Sequence, residues 1–418
     1  MLRAPLIASL FVIGAAIGCA GRSGHGHAGG GAGELGLEQT QRGVITPDVT
    51  RVGAFAQVDK ILGYPRPGGQ YHALSPADCQ CLAVNAAPRA NLLDDERRAL
   101  AARESRGLCQ GEDNSLTYDV LRTAALEDRN RQAGEALNDY YSLAQREAQL
   151  DLAGRAIGDA HRGVEGFNKA AEQGLMTRAD KTEFPRREIE LRDQQAQLQN
   201  GVLQLNSRLW HSIGIRPNSP DDRIWPTTDM TVTVEPIDVD EAVQIGLASR
   251  PELGLLRRAR CATTEQLNSA RVALSQVSPL LGLAPQPAKC DGPFGILEAL
   301  KVKARAEREL AERQQQLNRL AWQREQEVAA EIRQNVATVE LRLRQVALAK
   351  ESLAQWRSRT EELQGRSQTG GATFAEVIGG RLATAQAESD LIEQIAAWKI
   401  AQARLKQSQG LLVMECCH

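Results

Sequence analysis

Residues 74–88 and 237–251 follow one pattern at a constant offset of 163 positions, so the chain carries two copies of a single plan. Apolar residues coincide at Leu74 and Ile237, Leu82 and Ile245, and Val84 and Leu247. Acids coincide at Asp78 and Glu241, prolines at Pro88 and Pro251, and leucines follow at Leu92 with Leu255 and Leu93 with Leu256. Each copy reads as a short amphipathic helix that stops before a proline, whose ring and missing amide forbid its extension, and that leads into a second helix.

Downstream of each copy lies a long helical stretch broken once by a glycine-bearing turn. In the first half Leu150, Ala153, Ile157, Ala160, Val164, Phe167, Ala171 and Gly174 recur in alternating steps of three and four. That is a coiled-coil seam, and its small residues let neighbouring helices approach closely. After a turn across Gly174–Asp180 the seam resumes at Leu191, Leu198, Val202, Leu205 and Leu209, so the chain comes back along itself. The second half repeats the plan with Ile332, Val336, Val339, Leu343, Val346 and Leu353 going out. Its turn is Gly370-Gly371-Ala372-Thr373, and Leu391, Ile395, Trp398, Gln402 and Leu405 mark the return. The stretch from Leu297 to Gln368 predicts one helix about 100 Å long, far beyond globular lengths. Periodicity alone fits an antiparallel coiled-coil spacer or scaffold equally well.

Composition agrees with long helices in place of a thick core: aromatics make up 4% of the 418 residues and the mean hydropathy is -0.36. The net charge of -2 comes from 50 basic and 52 acidic residues interspersed along the chain, which gives no footprint for nucleic acid. Catalysis has no motif to stand on, since GxSxG, Walker and HExxH patterns are absent and the six histidines form no constellation. The expectation is a non-enzyme without cofactor.

Arg3 precedes an apolar run from Leu6 to Ile17 that is too short to span a bilayer and ends in small residues, the pattern of a signal peptide over residues 1–18. Ala16-Ile17-Gly18-Cys19 looks like a bacterial lipobox, which makes Cys19 the acylated new N-terminus. Ala20 is not the aspartate that holds many such lipoproteins at the inner membrane, so by analogy the anchor sits in outer-membrane lipid. Residues 21–36 are Gly-rich and read as a tether, in which His25 and His27 hold no metal. Cys79, Cys81, Cys109, Cys261, Cys290, Cys416 and Cys417 remain, an odd count that cannot pair fully within one chain. The tail Cys416-Cys417-His418 offers soft ligands, yet neighbouring cysteines do not close a four-ligand site alone. No metal site is expected, and the pairing of these cysteines is open.

With these features in place the chain resembles the TolC-like outer-membrane factor family, over roughly residues 70–412. Asp240–Leu253 is similar to the start of that family's second repeat and Leu74–Pro88 to the first. Ala171-Glu-Gln-Gly174-Leu175-Met-Thr177-Arg-Ala-Asp180 resembles the family's A-x-x-G-L-x-[ST]-x-x-D hairpin tip, and Arg366–Val377 resembles the second tip. The resemblance implies a mainly α fold: two repeated long antiparallel hairpins with short equatorial helices, assembled as a homotrimer into a hollow α-barrel. It implies a first repeat over residues 71–225, a second over 226–412 and a Cys/His tail over 413–418, behind the lipidated tether of residues 19–70. Gly174, Leu175, Thr177, Gly370 and Thr373 would dock a periplasmic adaptor that works with an inner-membrane transporter, in a tripartite pump or type I secretion system. Asp180 and Glu376 either cap the helices past the turns or line a cation-favouring entrance.

The resemblance fails at the membrane. Family members insert a β-hairpin between the short helices and each long hairpin, whereas residues 94–150 here read helical or polar. In the second repeat Val277–Pro287 is the only candidate, and its three prolines disfavour a paired strand. Pro185, within the first return helix, is a further departure. Barrel strands are therefore expected to be reduced or absent, which keeps a second reading open: a barrel-less, lipid-anchored periplasmic scaffold without transport activity.

Overall fold

A computed structural model describes residues 70–105, 114–172, 183–228, 230, 232, 236–263, 266–267 and 295–416, all within one unit spanning Thr40–His418. The expected signal peptide over residues 1–18, Cys19 and the expected tether, the turn expected from Gly174 to Asp180, Cys109, Cys290, the segment 277–287 and Cys417-His418 lie outside the described residues.

Both copies begin with an 11-residue helix at equivalent positions, α1 (Pro76–Ala86) and α5 (Val239–Ser249). The Ser75 hydroxyl accepts the Asp78 amide, and the Asp238 carboxylate accepts the amides of Asp240 and Glu241, so each first turn has a side-chain cap on orphan N–H groups. Each helix stops at the residue before a proline: Ala87 and Arg250 turn to ψ 102° and 119°, as a following proline requires. The next helices, α2 (Pro88–Ser105) and α6 (Pro251–Arg260), start on those prolines, where a missing amide leaves nothing unpaired.

Two four-residue strands depart from the sequence expectation. β1 (Tyr71–Leu74) runs parallel to β2 (Arg223–Pro226), with Tyr71 opposite Arg223 and Leu74 opposite Pro226. Four residues are too few for a period-two signal, and the pair is held by long-range contacts. The Asp222 carboxylate accepts the backbone amides of Gln70, Asn218 and Ser219, and the buried Tyr140 hydroxyl donates to the Leu74 carbonyl at 2.9 Å. Neither strand is a membrane hairpin; they join the two ends of the first repeat.

Two long hairpins carry the rest. The first is α3 (Ser115–Glu172, 58 residues) with α4 (Glu183–Ser212); the second is α7 (Gly295–Gln368, 74 residues) with α8 (Phe374–Gln409). At about 1.5 Å per residue α7 is roughly 110 Å long. The seams lie where the 3–4 spacing puts them. Leu150, Ala153, Ala160 and Phe167 on α3 are buried, as are Leu191, Leu198, Val202, Leu205 and Leu209 on α4. Ile332, Val336, Val339, Val346 and Leu353 are buried on α7, and Ile395, Trp398 and Leu405 on α8. Ile157, Val164 and Leu343 are only half-buried within one chain. Pro185 does not break α4, because it falls in the first turn, where proline is tolerated.

The hairpins pack side by side through α3 and α8, which run antiparallel. From one end to the other, Asn130 donates to the Gln407 carbonyl, Gln149 to the Ser389 hydroxyl, Arg381 pairs with Asp159, and the Phe374 ring rests where a side chain at Gly166 would stand. The order across this layer is α4, α3, α8, α7.

At the end opposite the tips, the crown, α2 folds back on α3, and Leu116, Val120, Leu255, Leu256, Ala259, Leu317 and Ala321 tie α3, α6 and α7 together. The tail is fastened beside α1, where Leu412 and Val413 pack with Val84, Ala133 and Leu137. A short 3-10 turn (Met414–Cys416) follows α8, and Cys416 is disulfide-bonded to Cys81 on α1 with Cα atoms 5.2 Å apart. The Gln80 amide donates to the Leu412 carbonyl at 2.8 Å and to Glu415, whose carboxylate also pairs with Lys406 at 2.7 Å. Cys79, two residues from the crosslink, is a buried thiol whose pKa burial pushes far up, so it packs as a small apolar group.

Candidate functional site

The turn between α7 and α8 is built by backbone chemistry that its sequence specifies closely. Gly370 takes φ +77°, and the amides of Gly370 and Gly371 donate to the carbonyls of Ser367 and Arg366, which closes α7 in a Schellman arrangement. Arg366 reaches back to the Gly371 carbonyl at 2.9 Å. Thr373 then caps α8: its hydroxyl accepts the Glu376 amide, while the Glu376 carboxylate accepts the Thr373 amide at 2.7 Å. The amide and the hydroxyl of Thr373, in that order, hold the Glu376 carboxyl below its ordinary pKa. Of the two roles left open for Glu376, the helix cap is the one with hydrogen bonds on it.

Gly370 and Thr373 are exposed, and no atom lies within 4 Å of where a Cβ on Gly370 would point. The turn thus presents an open, rigid end. Gly174, Leu175, Thr177 and Asp180, assigned to the other tip, and Cys19 lie outside the described residues. The two hairpins do bring one pair of ends together, since Phe167 and Val164 near the end of α3 pack with Ile378 and Ala375 at the start of α8.

The flanks of the layer carry apolar residues that the seam pattern did not single out. Ile189 (68% exposed) and Leu203 lie on α4, and Trp322 (66%), Leu341, Leu348 (65%) and Trp356 lie on α7. Their signal in the sequence is weak but present: Leu341 and Leu348 recur at seven, and Ile189 and Leu203 at fourteen. A shallow groove between α3, α4 and α8, lined by Leu152, Leu191, Leu382, Gln149 and Arg187, is open to solvent and gathers no reactive groups. Among the described residues no cluster of His, Cys, Asp and Glu could hold a metal ion, and no helix is long and apolar enough to cross a membrane.

A search of solved structures finds this arrangement again. The outer-membrane channel OprN aligns with a TM-score of 0.51 at 13% identity, over 71% of this chain and 69% of that one. CusC, described in terms of folding and transmembrane channel formation, gives 0.51 at 16%, over 70% and 71%. The fold is TolC-like. The CmeC outer membrane channel of Campylobacter jejuni shares it, with a TM-score of 0.51 at 10% identity, over 71% of this chain and 66% of that one. No family model matches the chain, and no curated protein matches it in sequence. Within the TolC-like frame, the Gly370 turn is a hairpin tip and the flanks of α4 and α7 are lateral edges.

Proposed function

We propose that the chain is the outer-membrane-side component of an export system, with three copies joined edge to edge into a periplasmic tunnel whose tips receive an adaptor protein. One observation carries the reading: a single layer in the order α4, α3, α8, α7 has apolar residues on both flanks, and a head-to-tail ring covers α4 of one copy with α7 of the next. The adaptor docks at Gly370 and Thr373, together with Gly174, Leu175 and Thr177, and an inner-membrane transporter drives the flow. Cys19 holds the assembly in outer-membrane lipid through its acyl chains. Substrate passes along the tube without chemical change, and no catalytic residue is assigned.

The test is native mass in mild detergent joined to adaptor cross-linking and dye efflux. A trimer is expected, and a folded monomer overturns the tunnel. Because Gly370 has a positive φ, any side chain there strains the turn itself. Gln368→Trp, on an exposed residue ending α7, is the cleaner obstacle, and Gly370→Trp the harsher one. Both should lose adaptor cross-links and efflux while keeping their helicity. A trimer that never cross-links or exports fits the lipid-anchored scaffold instead.

A further inference from the structure

We infer that the two repeats of this chain do not themselves build a passage through the outer membrane: their tunnel ends at a rim of helices beneath the bilayer, and solute leaves through a different protein. The inference rests on the tunnel reading above.

In either repeat, membrane strands have room only between the second short helix and the long outgoing helix. In the first repeat α2 occupies residues 88–105 and α3 begins at 115, which leaves the nine positions 106–114. One spanning strand takes about 9–11 residues, and a hairpin needs two strands and a turn. Nor is α2 free to supply the rest. Ala90 packs against Ala125, Arg129 pairs with Asp94 at 2.6 Å, and Glu104 accepts from the Asn114 amide at 2.9 Å and the Tyr118 hydroxyl at 2.8 Å. These contacts fix α2 at both ends, antiparallel to the start of α3. Its outer face carries Asp95, Glu96 and Arg98, all exposed, where a lipid-facing strand needs an apolar alternation.

The second repeat is longer but also committed at its start. Ala262 is buried against the crown, Leu267 packs beside it, and Gln266 donates to the Ser115 hydroxyl at 3.2 Å. That leaves the 27 positions 268–294, containing Pro279, Pro285, Pro287 and Pro293, each without an amide for a strand ladder. Granting a full hairpin there, three copies would supply six strands. A barrel of about eight already has an interior just filled by side chains, so six enclose no lumen.

Two measurements on the full-length lipoprotein decide the point. An epitope inserted between residues 109 and 110 should stain only after the outer membrane is permeabilised; staining of intact cells overturns the inference. Should the insertion unfold the chain, Ala99→Cys on the exposed face of α2, probed with an impermeant maleimide against wild type, gives the same reading. Purified protein in planar bilayers should show no discrete conductance steps beside a porin control, and steps would overturn it. Native mass on the same sample separates the two readings: a monomer removes the tunnel, while the epitope still judges whether the chain reaches the cell surface.

Discussion

The two repeats agree where they start and part company immediately afterwards. α1 and α5 have the same length, polar N-caps and a proline stop, yet α2 has 18 residues to the 10 of α6. Side chains at equivalent positions differ according to what each copy meets. Cys81 is crosslinked to the tail, whereas its counterpart Gln244 is exposed. Ala83 is fully buried, whereas a Cβ on its counterpart Gly246 would meet the end of the Ile332 side chain, which would have to move. The local signals that start and stop helices are shared by the two copies. The packing partners of the two copies differ.

The largest effect that can test this contrast comes from charge in the two outgoing seams. Val339 is 3% exposed, so Val339→Lys buries a lone ammonium and should lower unfolding stability by about 3 kcal/mol or more in urea titrations. Ile157→Lys, on a half-buried site, lets the ammonium reach water and should stay folded with a clearly smaller loss. Equal destabilisation of both would mean that the two seams are covered alike within one chain.

Next in size is the crosslink that fastens α1 to the tail. Cys81→Ser should cost about 2–4 kcal/mol and loosen α1 in hydrogen exchange while leaving α5 protected. Loss of protection in both helices would show that the two starts are mechanically one unit.

A smaller, pH-dependent effect belongs to the joint at β2. Burial would raise the Asp222 pKa, but the amides of Gln70, Ser219 and Asn218 and the His72 ring outweigh it and lower it. The stabilisation is therefore complete above the ordinary carboxylate value of about 3.9 and is lost as pH falls through the lower folded value. Asp222→Asn should cost about 1–3 kcal/mol at neutral pH, and the gap to wild type should close in acid. A gap that stays constant with pH would remove Asp222 as its source.

The smallest effect lies at the second tip, where Thr373→Ala removes a capping hydroxyl and should lower stability by about 1 kcal/mol. Adaptor cross-linking should weaken only if the capped turn is itself the docking surface.

Much of the fold was legible because its determinants are local. Seam spacing, the prolines at 88 and 251 and the Gly370–Thr373 turn each act within a few residues. What escaped depends on segments that meet only after folding. Nothing near Cys81 names Cys416 as its partner, 335 positions away. Nothing in Tyr71–Leu74 calls for Arg223–Pro226. The lateral edges escaped for a related reason: Trp322 and Leu348 lie off the seams, and only the order of the four helices shows that both flanks are left uncovered.

The Cys81–Cys416 bond also decides how force travels. Tension on the chain ahead of Tyr71 enters at β1 and α1, crosses the disulfide to the tail, and passes into α8, which lies against both α3 and α7. A pull from the N-terminal side is shared between the two hairpins instead of peeling the first away from the second.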